Sequence, residues 1–395
     1  MIRVGIDVTA AVTQGGGIGR YTRELVRAVT APSKRPDGFT YQLFSARQPT
    51  SLPVPDPIPA GDNIHYHQTR LDARWLYRLW YRFRIPLPVQ WYTGKLDLFH
   101  SPDFVLPPVS GGIPTLLTVH DLSFVHYPET FTPALRSFLN KSVPWSVDRA
   151  THILADSQAT KDDLSGVWGV PAGKITVLYS GVDNRFRPVT RQAHLDAVRR
   201  RYAIDDAPYI LSLSTIQPRK NYQMLIRAFK PIAANWPHNL IIGGGKGWLY
   251  EETLAEVEKQ GLTGRVRFLG FVDDADLPAL YTSATLFVFP SLYEGFGLPV
   301  LEGMACGVPV LVSDASSLPE VAGEAAVSLS PHDEEAWTEQ MHRLLLDAGR
   351  RSQMVAAGFR QARSFTWKRA AQELRQLYRD LLAGEPSRPG EGRVE

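Results

Sequence analysis

The sequence predicts an α/β chain made of two successive doubly wound halves, each a parallel sheet with helices on both faces. Its 395 residues are more than one ordinary core organises. Short apolar runs alternate with stretches of helical spacing along nearly the whole chain. The alternation stops between Phe186 and Pro208, where charge dominates, and then begins again.

In the first half, Ile2–Ile6 reads as a strand and Arg20–Val29 as the helix after it. Further strand-like runs lie at Leu96–Phe99, Thr115–Val119, Ile153–Ala155 and Ile175–Leu178, with helical spacing over Pro133–Val147 and Ser157–Trp168. The charged stretch that follows contains Arg199-Arg200-Arg201 and ends in Asp205-Asp206-Ala207-Pro208. It reads as a linker with a short helix. The second half opens with strand Tyr209–Leu213 and helix Tyr222–Ala234, followed by strands Leu240–Ile242, Val266–Leu269, Leu286–Phe289 and Val308–Val312. Each is short, β-branched or aromatic, and bounded by Gly, Pro or Asp, as buried parallel strands are. The expected division is a first domain over 1–188, a linker over 189–207 and a second domain over 208–365. A helix over 366–383 is expected to pack back on the first domain, and the Pro/Gly/charge-rich tail 384–395 to be disordered. Ligands of such sheets bind beyond the carboxyl ends of the strands. The two halves are therefore expected to face each other across a substrate-holding cleft.

Composition narrows the class. Hydrophobic residues make up 44% and charged residues 21%, and the formal charge is only +3 with no long basic run, so nucleic acid is not an expected partner. Cys306 is the only cysteine, which allows no internal disulfide. Met1–Val8 reads as a strand rather than a signal peptide, and no run approaches the roughly 20 apolar residues that span a bilayer. The expected location is the cytoplasm, with the inner face of the membrane as the alternative. That alternative comes from residues 74–84, where Arg74, Arg78 and Arg82 fall on one helical stripe with Trp75, Leu79, Trp80 and Phe83 mostly elsewhere. A core helix with a solvated arginine face is the favoured reading, and peripheral contact with an anionic membrane is the other.

The chemistry concentrates in Phe289–Gly307. A strand ends at Pro290, a loop carries Glu294, Gly295 and Gly297, Pro299 suits the first turn of a helix and Gly307 its end. Backbone N–H groups at a glycine-rich helix start favour a diphosphate. Glu294 can accept from sugar hydroxyls, and Glu302, within the second turn, can reach a ribose diol. The spacing of Glu294 and Glu302 within Gly-Phe-Gly-Leu-Pro resembles the Glu-x7-Glu signature of the GT-4 family of retaining glycosyltransferases.

The resemblance extends over most of the chain. Gln217-Pro-Arg-Lys-Asn221 is similar to the family's phosphate-binding loop. Gly270–Leu277, with Val272, is similar to the loop before its donor-site helix. Gly15-Gly-Gly-Ile-Gly19 resembles its glycine loop facing donor and acceptor, and Val119-His-Asp-Leu122 the motif whose histidine meets the donor sugar. Leu178–Asp183 resembles the segment closing the first domain. This implies the GT-B fold, two Rossmann-like domains across a cleft. It implies a nucleotide-sugar donor as substrate, a glycan or lipid-linked acceptor, no cofactor and no metal site.

By that resemblance His120, Glu294, Arg219 and Lys220 are the catalytic set. Gly16, Gly17, Thr215, Val272, Gly295, Phe296, Gly297, Leu298 and Glu302 join Arg219, Lys220 and Glu294 in holding the donor. Fixed cations at 219 and 220 stabilise charge that grows on the leaving diphosphate. Many relatives carry Gly-Arg where this chain has Ser214-Thr215, so one cation is missing and Arg219 or a neutral bond from Thr215 must compensate. Asp121 either fixes local backbone and orients His120 or acts directly. Asp273-Asp274 and Asp205-Asp206 read as solvated loop charges.

Rival readings are weaker. Neither Gly15–Gly19 nor Gly243–Gly247 has the spacing of a nicotinamide fingerprint, and no Ser or Thr follows a Gly-Lys pair as a P-loop needs. A sugar phosphorylase or nucleotide-sugar epimerase could share the frame, and a non-catalytic nucleotide-sugar binder would not need the full set of charged residues. The His120-Asp121-Leu-Ser-Phe neighbourhood is similar to that of mannosyltransferases building bacterial surface polysaccharides. GDP-mannose is therefore the expected donor, with UDP-hexoses next.

Overall fold

The computed structural model describes residues 1–32, 38–48 and 59–384. It divides into two compact units. The first contains Met1–Leu122, Ser137–Gly181 and the segment from Thr366; the second contains Ser123–Arg136 and Val182–Phe365. The expected tail, beyond Gly384, lies outside the described residues.

The first unit is built on seven parallel strands, β1 (Ile2–Asp7), β2 (Phe39–Ser45), β3 (Ile64–Gln68), β4 (Leu98–Ser101), β5 (Thr115–Val119), β6 (His152–Ala155) and β7 (Ile175–Val177), in the order β3-β2-β1-β4-β5-β6-β7. Strands β4, β5 and β6 are wholly buried, as their sequences LFHS, TLLTV and HILA suggest. The order reverses at β1 and β4, so their carboxyl ends diverge into a crevice. Helix Gly17–Thr30 buries Tyr21, Leu25, Val26 and Val29, one stripe at helical spacing. Helix Trp367–Ala383 packs on it through Ala370, Ala371, Leu374 and Tyr378. The Arg375 guanidinium donates to the Val29 carbonyl at 2.8 Å, and the Tyr378 hydroxyl meets His100 Nδ1 at 2.8 Å. Gly181 allows the approach of this segment, since a Cβ there would stand 2.0 Å from the Trp367 amide nitrogen.

The second unit holds six parallel strands, β8 (Tyr209–Leu213), β9 (Asn239–Gly243), β10 (Val266–Gly270), β11 (Leu286–Phe289), β12 (Val310–Ser313) and β13 (Val327–Leu329), ordered β10-β9-β8-β11-β12-β13. Tyr222, Leu225 and Phe229 of helix Tyr222–Asn235 and Trp337 and Met341 of helix Glu334–Leu346 fill one side of this sheet.

Three expectations change. The first unit ends at Gly181, not 188, because the Val182 amide donates to Phe365 of the second unit at 3.0 Å. Residues 123–136 also belong to the second unit: the Trp248 indole donates to the Thr130 carbonyl at 2.7 Å and the Phe131 and Trp248 rings lie 5.8 Å apart. The charged stretch 189–207 carries the expected short helix but belongs to the second unit instead of standing outside both. Its helix Gln192–Arg201 is fastened by Arg201 to Asp273 and, at 2.8 Å, to Asp276, while Arg199 donates to the carbonyls of Asp205 and Ala207. Asp205 and Asp273 are open to solvent as expected, and together with Asp274 they also anchor this stretch. Asp274 faces Arg185 at 3.6 Å and Asp205 accepts from Asn239 at 3.1 Å.

Candidate active site

In the second unit the loop after β8 is joined to the loop after β11. Pro218–Lys220 forms one 3₁₀ turn, and Asn221 ends it in the left-handed region at φ 58°. The Asn221 side-chain Nδ2 donates to the Pro290 carbonyl at 3.1 Å and the Pro331 carbonyl at 2.7 Å, and the Leu292 backbone amide donates to the Arg219 carbonyl at 2.9 Å. This junction brings three of the expected site residues together. Lys220 Nζ is 2.5 Å from Glu294 Oε1, and Arg219 Nη1 is 3.1 Å from Glu294 Oε2 while also donating to the Tyr293 carbonyl. Lys220 and Glu294 are 9% and 8% exposed, so the pair is shielded from water. Burial alone would raise the Glu294 pKa, but Lys220 and then Arg219 more than offset it and hold it at about 2.

The Glu294 loop is positioned by two serines that sequence reasoning missed. The Glu294 amide donates to Ser316 Oγ at 2.8 Å, the Ser316 hydroxyl donates back to the Glu294 carbonyl at 2.9 Å, and the Ser317 hydroxyl reaches the carbonyls of Glu294 and Phe296 at 2.9 and 2.7 Å. Gly295 is buried. Gly297 sits at φ 122° before helix Leu298–Ala305, where a Cβ would stand 2.8 Å from Leu318. The Phe296 ring packs edge-on to Phe365 with centroids 5.8 Å apart, so its backbone rather than its side chain remains for a ligand. Glu302 lies on that helix, 3% exposed, and accepts from the Tyr281 hydroxyl at 3.0 Å. Burial keeps the Cys306 thiol above its ordinary range.

Thr215 and Val272 frame the glycine run after β9. A Cβ on Gly244, at φ 140°, would stand 1.9 Å from the Ser214 carbonyl oxygen, and one on Gly247 would stand 2.8 Å from Thr215 Cγ2. Val272 is buried against Gly243. Gly243–Gly247 therefore serves close backbone packing of two loops.

In the first unit, Val119 of β5 pairs with Ala155 of β6, so His120 and Asp156 leave the sheet side by side. His120 Nδ1 is 2.7 Å from Asp156 Oδ2, and both are buried. Burial would lower the His120 pKa, yet Asp156, with Asp103 and Asp121, outweighs it and raises the pKa. Nδ1–H donates to the carboxylate, and Nε2 is buried without a hydrogen-bond partner among the described residues. Tyr21 and Phe104 meet the ring edge-on with centroids at 5.0 and 5.2 Å, which fixes its plane. The carboxylate in contact with His120 is Asp156, not the adjacent Asp121, which acts on it only through charge. Gly16 and Gly17 start helix Gly17–Thr30 and are exposed, and a Cβ on either meets nothing within 4 Å. The glycine this turn requires is Gly19, where a Cβ would stand 2.0 Å from the Gln14 carbonyl oxygen.

Each unit thus offers one set of groups. The second presents a carboxylate between two cations ahead of a glycine-started helix, suited to a phosphate and a hydroxyl-bearing ring. The first presents an oriented imidazole at a strand end. Among the described residues, no group of three or more His, Cys, Asp or Glu is arranged to hold a metal ion.

The profile described as Glycosyltransferase Family 4 matches residues 15–186, and that described as Glycosyl transferases group 1 matches residues 196–361. The chain is 32% identical over 377 residues to the O-antigen chain mannosyltransferase B of Escherichia coli, covering 92% of this chain and 96% of the relative. It is 34% identical over 266 residues to a serotype-specific mannosyltransferase WbdA of Escherichia coli, covering 65% of this chain but only 32% of that longer protein. In fold it is similar to a sucrose-phosphate synthase from Thermosynechococcus elongatus, with a TM-score of 0.76, 21% identity and coverage of 98% and 100%. Paired Rossmann-like sheets, both profiles and an end-to-end relative agree, and the chain belongs to the GT-4 glycosyltransferases of the GT-B fold.

Proposed function

We propose that this glycosyltransferase moves mannose from GDP-mannose onto a glycan or lipid-linked acceptor of a bacterial surface polysaccharide, with retention of anomeric configuration and without a divalent ion. The likeness over 92% of the chain to an O-antigen chain mannosyltransferase supports the sugar and the acceptor class. The observation that carries the chemistry is the cluster of Glu294, Lys220 and Arg219. Two fixed cations beside one carboxylate leave a net positive site. A diphosphate that draws Lys220 and Arg219 toward itself frees Glu294 oxygens for sugar hydroxyls. Cation–phosphate attraction then grows as the sugar–phosphate bond breaks, which lowers the barrier.

Retention follows most simply from attack by the acceptor on the face the diphosphate leaves, with a phosphate oxygen taking the acceptor proton. A carboxylate nucleophile is the other route. Glu294, held at about pKa 2 by two cations, is stabilised as an anion and correspondingly poor as a nucleophile. His120 Nε2 accepts from a sugar hydroxyl while the imidazole is neutral and donates to a sugar or migrating-group oxygen once Asp156 has favoured its protonation.

The test is to incubate the chain with GDP-mannose, and separately with UDP-hexoses, plus a mannose-terminated lipid-linked acceptor, and to assign the product linkage by NMR. An α-mannosyl product from GDP-mannose alone is expected. Transfer only from a UDP-hexose, or a β-linked product, refutes the donor or the stereochemistry. Conversion that needs inorganic phosphate, or no acceptor, identifies a phosphorylase or an epimerase instead.

A further inference from the structure

The first unit carries an exposed surface at residues 73–93 that holds none of the expected site residues. Residues 73–77 form a short helix, 78–82 a single π-turn and 90–93 a further turn. Their inner side is core. Leu76, Trp80, Tyr81 and Val89 are buried, the Trp80 indole donates to the Leu87 carbonyl at 3.0 Å, and the Trp80 and Tyr92 rings both lie on Phe44, at 5.9 and 5.4 Å. Both turns are therefore seated over one core residue and held rigidly.

Their outer side is aromatic and basic. Trp75 is 50%, Phe83 59% and Trp91 74% exposed, with Ile85 beside them at 38%. The backbone reverses at Arg84, φ 52°, which leaves Phe83 and Ile85 exposed on either side of it. Arg74, Arg78, Arg82 and Arg84 are exposed among these rings, and Arg78 stacks over Trp75 at 5.1 Å. Residues 73–96 contain five cationic side chains, these four and Lys95, and no carboxylate. Of the two acids that border this segment, Asp72 caps the helix by accepting from the Trp75 amide at 2.9 Å and Asp97 pairs with Arg3 at 2.7 Å. Scattered exposed apolar residues need no explanation. A set of exposed aromatics laced with arginines is different, because water solvates the rings poorly and residues 73–96 supply no carboxylate to offset the charge.

We propose that this face, Trp75, Phe83, Ile85 and Trp91 with Arg74, Arg78, Arg82 and Arg84, docks the protein on an anionic phospholipid surface. The rings enter the headgroup–acyl boundary, where amphipathic aromatics are stable, and the guanidinium groups meet lipid phosphates. No helix among the described residues is long and apolar enough to cross a membrane, so contact through this face is peripheral. The inference stands apart from the donor and acceptor assignments.

The test is cosedimentation of the full chain with vesicles of mixed phosphatidylglycerol and phosphatidylcholine, and with phosphatidylcholine alone. Binding to the anionic vesicles only is expected, falling as salt rises. Arg74→Glu, Arg78→Glu and Arg82→Glu together lower the bound fraction at least about 10-fold. Phe83→Ser with Trp91→Ser lowers it about 10-fold at unchanged charge. The altered side chains are exposed, so circular dichroism and melting should match the parent. The idea is overturned if the unaltered chain ignores anionic vesicles or if both variants bind as it does. It is also overturned if ultracentrifugation without lipid shows a dimer that Trp91→Ser dissolves, which would make the face an interface between two copies.

Discussion

Lys220 Nζ and Glu294 Oε1 stand 2.5 Å apart although 74 residues separate them in sequence, and both are almost wholly buried. Removing Glu294 leaves two neighbouring buried cations without their shared carboxylate, and removing Lys220 leaves the buried Glu294 with Arg219 alone. Lys220→Met and Glu294→Ala should each cost about 100-fold or more in turnover. Each should also lower unfolding stability by about 3 kcal/mol. Steady-state kinetics and denaturant titration check this; near-parental turnover in both variants rejects the site.

The same pair sets a pH dependence. The folded Glu294 carboxyl, at about pKa 2 against an ordinary 4.5, binds its proton less tightly than in the unfolded chain. Its contribution is complete above pH 4.5 and is lost as pH falls toward 2, amounting to about 3 kcal/mol. The stability gap between the parent and Glu294→Gln should close over that window in urea titrations. A gap constant from pH 5 to 2 contradicts the ion pair.

Asp156 is a positioning residue for His120. Asp156→Asn removes the charge that raises the histidine pKa, so the His120 midpoint in an NMR titration should move down, and turnover should fall about 10-fold or more. Because the raised pKa stabilises the fold below the unfolded value and the benefit fades as pH climbs through the folded one, the variant's stability deficit should be largest at mildly acid pH. An unmoved midpoint dismisses the role.

Gly19 and Gly17 should part company. Gly19→Ala drives a Cβ into the Gln14 carbonyl and should destabilise by about 2 kcal/mol or more despite alanine's helix preference. Gly17→Ala meets open space and should raise stability by about 0.5–1 kcal/mol. If the Gly17 backbone approaches a phosphate, turnover of that stable variant still falls. Melting curves and initial rates separate the two effects.

Turnover should be unchanged in excess EDTA, since Lys220 and Arg219 are assigned the charge that a divalent ion would otherwise neutralise. Loss of activity that Mn²⁺ restores overturns this.

Most buried strands were legible because both of their faces are covered, so runs such as TLLTV and YILSL are largely apolar; β2, FTYQLFS, was missed although mostly buried, because Thr40 and Gln42 interrupt its apolar run. β3, IHYHQ, was not legible either: it is an edge strand with mostly polar, partly exposed side chains, and its pairing with β2 decides its state. β13, three residues at the opposite edge, is too short to show a period. Lys220, Arg219 and Glu294 could be chosen by motif, but their mutual contact depends on β8 and β11 being neighbours. Asp156 follows a strand just as His120 does. That signal was in the sequence, yet it gains meaning only from the β5–β6 register. Ser316 and Ser317 carry no signal at all, because hydroxyls that hold a loop look like any other surface serines.

The excursion of residues 123–136 and the return of the chain at Thr366 have a practical corollary for anyone dissecting the protein. Neither lobe is a continuous stretch of polypeptide, so no single cut liberates one intact. A fragment stopping at Gly181 would bare the flank of helix Gly17–Thr30 that Trp367–Ala383 normally shields, and would carry along a segment whose partners, Trp248 and Tyr293, had been left behind. Swapping the second lobe between relatives would have to exchange these detours as well.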